Sequence, residues 1–512
     1  MITPTRTIRS LSLILLLLLA GLHGRAQDRP NYGQNDREVL LKALHAVPED
    51  SITHWMHTLI APGMRGRLAG DIGYDRAAHW AAGKLSAWGL QPFFGHQGFF
   101  QVFDQPYTLI RDTGSLSLLV PMNGEDLLRK DYQYALDYWP WGVSGSGQVK
   151  GEVVYAGYGI TAPELGYDDF AGVDVAGKIV LCELGIPYAG TDPDILTRWQ
   201  PYREVQYKIQ NAIRHGARGM LFAYHVAGPR PTVDPGFVFL AVADHVVEDF
   251  FSGTGRDRKA LREGINRDLQ PASFPTGKLA EMSLTIEHYP DGKTSNVVAM
   301  IEGKHPELKQ EYLVVGAHLD HLGMMPVLFP GALDNASGVA IALGVAKAIS
   351  QAGIQLDRSV VILLFGAEEV GLVGATWFVE HFPYPTDRIK MMINLDMVGR
   401  GNALFAATSD PWAALLPYFE RNNELWVHRP MMTRSGPWAY SFRPRTDGAV
   451  FSNFRIPTIH FGARGASGRS LYHVPEDDMR QIEVEIMRDV VKLLTMTLTD
   501  LANEPVIFSG AD

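Results

Sequence analysis

Four apolar, strand-like runs in the second half of the chain each lead into a residue able to bind a metal. YLVVGA leads into His318-Leu319-Asp320, VVILLFGA into Glu368-Glu369, MMINL into Asp396, and PTIHFGARG precedes Tyr472-His473. Imidazole nitrogen and carboxylate oxygen are donor types that zinc takes, in sets of about four with one position left for water. Two such ions about 3.5–4 Å apart need a shared carboxylate to screen their repulsion. Asp334, in GALDNASG between the His318 and Glu369 segments, is the candidate bridge. Ala336, Ser337 and Gly338 are small enough to let a helix begin close beside it.

Adjacent Glu368 and Glu369 point in different directions after a strand, so one can ligate while its neighbour activates water. Asp320, two residues after His318 on an extended chain, is on the same side and is expected to orient that imidazole. His321 falls on the opposite face and is read as structural, and His460 as a strand residue near the site rather than a ligand. Taken singly, an acidic pair at a strand end is usually solvated, and an Asp in a Gly-rich turn usually makes an Asx turn. Their order and shared texture carry the metal reading.

Residues at the carboxyl ends of several strands meet in space when those strands form an open parallel α/β sheet. From about residue 280 to the carboxyl end, strand, helix and strand alternate, which predicts a mixed, largely parallel sheet sandwiched by helices. Helical spacing over 36–60 predicts opening helices, and another helix is expected from about Asp75 to Trp88, ended by Gly89. Residues 98–120 alternate as strands. Between these segments lie GEVVYAG, GKIVLCEL, GARGMLFAY and GFVFLAV, broken by Gly, Pro and Asp, which predict a compact β-rich insert with few helices. The division expected is 27–125 and 280–512 for the α/β domain and 126–279 for the insert.

The chain has 512 residues, 46% hydrophobic and 20% charged, with a formal net charge of -10. That is a globular composition, and its acidic balance offers no electrostatic reason to expect nucleic acid. Arg6 and Arg9 precede an apolar run, LSLILLLLLAGL, too short to span a bilayer, and Gly24-Arg25-Ala26 supplies small residues for cleavage. Residues 1–26 are therefore expected to be a signal peptide. The mature chain would be periplasmic or secreted, without stable membrane insertion. The single cysteine, Cys182, cannot form an internal disulfide and is expected to be buried and inert.

With GAHLDHLG, GALDNASG, GAEEVGLVGA, INLDMVG and YHVPEDD in this order, the chain from about Asp36 onward resembles the co-catalytic zinc aminopeptidase family. That family also contains glutamate carboxypeptidase and, as non-enzymatic relatives, the transferrin receptors. The resemblance implies a phosphorylase/hydrolase-like zinc exopeptidase fold, peptide substrates and two zinc ions, with manganese or cobalt as chemically possible substitutes. His318 and Asp396 would hold one ion, Glu369 and His473 the other, with Asp334 between them. Glu368 would be general base and acid, and Asp320 the partner of His318. The insert resembles the protease-associated (PA) domain often found in this family. Two departures stand out: Leu333 precedes the bridging Asp, and Thr446-Asp447-Gly448 with Arg455-Ile456-Pro457 replaces a Ser-Asp-His and Gly-Ile-Pro pattern.

Carboxypeptidase or dipeptidase activity would instead need basic groups reaching a terminal carboxylate, and Arg434, Arg443 and Arg445 lie in a suitable region. Glutaminyl cyclase activity fits poorly with the insert and the complete two-metal set. A catalytically silent, receptor-like binding protein would be expected to have replaced some of these ligands, and all are present.

Overall fold

The structure, a computed structural model, describes residues 30–95, 98–122, 126–190, 192–436 and 445–507. The expected signal peptide and Arg443 lie outside the described residues. The first amphipathic segments form helices Arg37–His45 and Glu49–Leu59. The third helix runs Ile72–Ala87, earlier than expected, because the Asp71 carboxylate accepts the Gly73 N–H and caps it. Gly89, at φ 85°, takes the left-handed turn just past the end.

Among the described residues the main sheet has nine strands. Its centre is four parallel strands in the spatial order Ser359–Phe365, Tyr312–His318, Ile389–Leu395 and Thr458–Arg464. Antiparallel strands extend it on both flanks, Lys293–Ile301 on one side and Ala403–Ser409 on the other. Alternate residues face opposite layers. Leu313 and Val315 pack with helices Ile72–Ala87, Ser337–Ala352 and Val484–Asn503, while Val314 and Val361 pack with helices Val373–Glu380 and Asp447–Asn453. The sheet is thus mixed, parallel at its centre and covered on both faces.

Helix Ser337–Ala352 lies between the sheet and helix Val484–Asn503. A Cβ on Gly344 would come 2.5 Å from Val491 Cγ2, so this crossing requires glycine. Among the described residues, Ala332–Ala352 is the segment long and apolar enough to cross a bilayer, and 94% of its apolar window is buried in this core. Being apolar on every face is what a helix enclosed in a core requires.

A second sheet of eight strands includes parallel Gly147–Tyr155, Ile179–Glu183, Gly219–Ala223 and Val238–Val242. Antiparallel Ser115–Pro121 and Phe274–Leu284 complete one side of it. The expectation of few helices is corrected here: Val205–Arg214, Asp244–Phe251 and Arg258–Asp268 accompany these strands. Parallel neighbours cannot be joined by tight hairpins and need crossovers, a constraint invisible in the strand runs themselves. Cys182 is fully buried inside its strand, and burial pushes its thiol up, so it is an inert core residue. Phe329 and Met325, from the loop after Tyr312–His318, pack into this second core, with Phe329 edge-on to Trp139. The insert is thereby seated against the carboxyl end of the main sheet.

Candidate metal centre

His318 is the last residue of its strand, Asp396 directly follows Leu395, and Glu368 and Glu369 come three and four residues after Phe365. His473 arrives from the loop beyond Thr458–Arg464. All are therefore at the carboxyl edge of the parallel centre. Ala367, Met397 and His473 hold positive φ angles of 62°, 53° and 56°. Such left-handed backbone is costly for residues with a Cβ and is kept where the surroundings dictate the direction of a side chain.

The five expected ligands converge. Asp334 turns one oxygen to each histidine: Oδ1 lies 3.2 Å from His318 Nε2 and Oδ2 lies 3.5 Å from His473 Nε2. His318 Nε2 is also 3.5 Å from Asp396 Oδ1, and His473 Nε2 is 2.9 Å from Glu369 Oε2. Two donors on one tetrahedral zinc, bonded at about 2.0–2.1 Å, stand about 3.3 Å apart, so the spacing suits a shared ion. A second feature agrees. His473 Nε2 and Asp396 Oδ1 are buried and make no hydrogen bond despite these neighbours. Donor atoms brought close without hydrogen-bond geometry point at a common position between them, where a cation fits.

The loop carrying Asp334 is built to hold it. Asp477 accepts the Leu333 and Asp334 N–H groups at 2.8 and 3.0 Å. Asn335 donates to the Leu395 carbonyl and accepts from Gly338 N–H, tying the loop to the strand that ends at Asp396. A Cβ on Gly338 would come 2.7 Å from the Leu395 carbonyl oxygen, so the small residues do let the helix start against the site. Arg67, fully buried, donates to the carbonyls of Leu319, Leu59, Pro330 and Gly331. It clamps the His318 loop to the Asp334 loop and adds positive charge below four carboxylates. Sequence reading missed Arg67 and Asp477: a Gly-rich RGRLAG and an acidic EDD look like solvated loop.

Two other residues sit differently from expectation. The Asp320 carboxylate is 3.9 Å from His318 Nδ1, and it is the Asp320 backbone carbonyl, at 3.1 Å, that meets this nitrogen. The carboxylate instead accepts the N–H groups of Glu368 and Glu369 at 3.1 and 3.2 Å. His321 is fully buried, with Nδ1 2.9 Å from Glu369 Oε1. Strand alternation placed it away from the site, but the strand ends at His318 and the chain turns, so alternation no longer applies.

The electrostatics are those of a crowded anionic cluster. Burial would lower the His318 and His473 imidazoles, but Glu368, Asp334 and Asp396 hold His318 well above its ordinary value, and Glu369 and Asp334 raise His473 to about 9. Burial, then Glu369, Asp447 and Asp396, push Glu368 well up against the pull of His318. Burial would raise Glu369 too, yet His473 and His321 hold it well below. The two adjacent glutamates are driven apart, one towards holding a proton and the other towards constant charge.

A cavity of about 630 Å³ opens on the cluster. Its floor includes His318, Asp334, Glu368, Glu369, Asp396 and His473, and its opposite wall is insert: Trp141, Arg203, Tyr224 and the stretch Val226–Arg230. Arg445 also lines it, whereas Arg434 is on the outermost strand Met431–Gly436, away from the cavity. Asp447 is buried at the start of helix Asp447–Asn453 and is pushed up by burial, against the pull of His318. His460 pairs in register with Asn394 within the sheet, and burial lowers it to about 3, so it stays neutral.

Solved structures share the fold. An aminopeptidase from Aneurinibacillus sp. strain AM-1 superposes with a TM-score of 0.62 at 19% identity, covering 89% of this chain and 94% of that one. A zinc aminopeptidase from Bacillus subtilis does so with 0.55 at 19% identity, covering 88% and 94%. Among curated proteins, aminopeptidase YwaD of Bacillus subtilis (strain 168) is 25% identical over 233 residues, 42% of this chain and 46% of its own. Leupeptin-inactivating enzyme 1 of Streptomyces exfoliatus is 34% identical over 166 residues, 31% and 36% respectively. The chain thus spans less than half the length of these curated relatives. Residues 296–498 match Peptidase family M28 and residues 149–248 match the PA domain. These matches agree with the resemblance read from the motifs, a peptidase region similar to Peptidase family M28 and a segment before it similar to the PA domain.

Proposed function

We propose that the chain is a zinc-dependent aminopeptidase that removes amino-terminal residues from peptides. The observation that carries this reading is the Asp334 carboxylate, whose two oxygens face two different histidines, each of which meets a further carboxylate. In this reading His318 and Asp396 would hold one ion and His473 and Glu369 the other, with Asp334 serving both. Bound zinc would supply Lewis-acid polarisation of the scissile carbonyl and a water of lowered pKa. Glu368, in the same cavity and made more basic by burial and its anionic neighbours, would as the carboxylate take the proton of the attacking water and pass it to the leaving amine. Its backbone, and that of Glu369, is held by Asp320, which orients the glutamate pair rather than the His318 ring. The relatives whose names include aminopeptidase support the same activity.

We also propose that the inserted domain over this site reaches beyond residues 126–279 to take in strands Ser115–Pro121 and all of Phe274–Leu284, and that the rest of 27–125 and 280–512 forms one peptidase domain. Export follows cleavage near Ala26, which amino-terminal sequencing of the protein outside the cytoplasm tests. For the activity itself, zinc content is measured beside hydrolysis of a peptide set blocked at either end. Two zinc per chain and cleavage lost on amino-terminal blocking is the expected result. Cleavage lost only on carboxyl-terminal blocking would transfer the assignment to a carboxypeptidase or dipeptidase that uses Arg445.

A further inference from the structure

His473 belongs to the main domain, yet its Nδ1 meets the insert's Ala227 carbonyl at 2.8 Å in a buried contact. A carbonyl only accepts, so Nδ1 carries a proton in either charge state of the ring, and Nε2, facing Asp334 and Glu369, is the nitrogen that would offer its lone pair to a metal. That carbonyl is itself held by Trp141. The indole N–H donates to the carbonyl of Val226, the residue before Ala227, at 2.6 Å. The residue after it, Gly228, lies flat on the same indole, where a Cβ would come 2.9 Å from Cδ2 and Cε3. The Gly142 N–H adds a bond to the Gly228 carbonyl at 3.1 Å. Trp141 in turn is packed among Phe222, Tyr224 and Phe239, so the brace is rooted in the core of the insert.

We propose that Trp141 is a positioning residue for the metal centre: through the Val226–Gly228 turn it holds the Ala227 carbonyl against His473 and so sets the tautomer and direction of that imidazole. The inference rests on reading His473 as a ligand. It makes the insert a structural part of one metal position. The other depends on His318, whose Nδ1 is met by the Asp320 carbonyl from within the main domain. The two positions should therefore respond differently to damage in the insert.

Trp141→Phe keeps an aromatic ring and removes the N–H. The full chain, stripped with a chelator and titrated with zinc against a competing dye, is expected to bind one of its two equivalents about 10-fold more weakly or worse, with the other within about twofold of the parent. Trp199→Phe, elsewhere in the insert and packed on Tyr167 and Tyr202, truncates an indole without touching Val226–Gly228 and is expected to leave both equivalents unchanged. Parental affinity for both ions in Trp141→Phe, or equal weakening of both, would overturn the proposal. Should that variant not fold, Gly228→Ala, which forces the turn off the indole, carries the same expectation and the same refutation. A parent chain that binds no zinc at all is a separate result and sinks the functional reading instead.

Discussion

Two regions of the molecule bury charge, and they do it in opposite ways. In the insert, Glu183 is paired with both Nε and Nη2 of Arg258 at 2.8 Å. Asp169 accepts the N–H groups of Tyr158 and Ile160 and the Tyr167 hydroxyl, and Lys208 donates to two carbonyls, of Tyr158 and Gly185. Each of these charges is answered by the chain itself. At the carboxyl edge of the main sheet, carboxylates outnumber the imidazoles they face, and buried atoms such as His473 Nε2 and Asp396 Oδ1 make no hydrogen bond. An unanswered buried polar group costs several times what an answered one does, so a chain that keeps such groups together keeps them for a ligand. Burial of charge alone therefore does not mark a site; several unanswered polar atoms buried together do.

The comparison predicts that substitutions in the two regions separate chemistry from stability. The largest effect is expected for Glu368→Gln, which keeps the shape of the side chain and removes its proton transfer. Turnover of aminoacyl-nitroanilides should fall about 10²- to 10⁴-fold with zinc content unchanged, and a variant that still turns over would strip Glu368 of its role. Glu183→Gln should do the reverse. Leaving Arg258 without its buried partner should cost about 3 kcal/mol in urea unfolding, with zinc content at the parental level. Zinc lost in proportion to stability would mean that the two regions are not separable.

A further effect is a pH dependence confined to the insert. Burial raises Asp169 from its ordinary 3.8 to about 7, against the pull of the Tyr167 hydroxyl, two backbone amides and Lys208. Between those values the folded state keeps a proton that the unfolded chain has released. The associated stability is thus fully present below about pH 4 and is lost as pH rises to about 7. Relative to Asp169→Asn, which cannot ionise, the parent should lose unfolding free energy across that window. A difference between the two proteins that stays flat with pH would refute the assignment.

Much of the site was legible because a parallel sheet converts a repeated local signal into convergence. An apolar run followed by His318, Glu368-Glu369 or Asp396 is visible in one dimension, and strand ends that share a direction share a location. His473 was reachable on the same grounds although it lies nine residues past its strand. What escaped were residues whose role depends on where the chain turns after a strand. His321 was assigned to the far face by an alternation that stops at His318, and the Asp320 carboxylate was given to the wrong partner for the same reason. The helices of the insert escaped although Val205, Ile209 and Ala212 stand at the i, i+4, i+7 spacing of one helical face, because the short apolar strand runs on either side dominate the local texture.

By itself, the order of residues determined which donor types are present, that they end strands, and that a second unit interrupts the first, because each of these is local in the chain. Only the tertiary structure decided what stands behind the donors. Arg67 gathers four carbonyls from a helix end and from both ends of the loop after His318, Asp477 fixes the Asp334 turn, and a carbonyl from the insert meets His473. Backbone carbonyls carry no residue identity, so contacts made through them leave no trace in a sequence and appear only when the chain is folded.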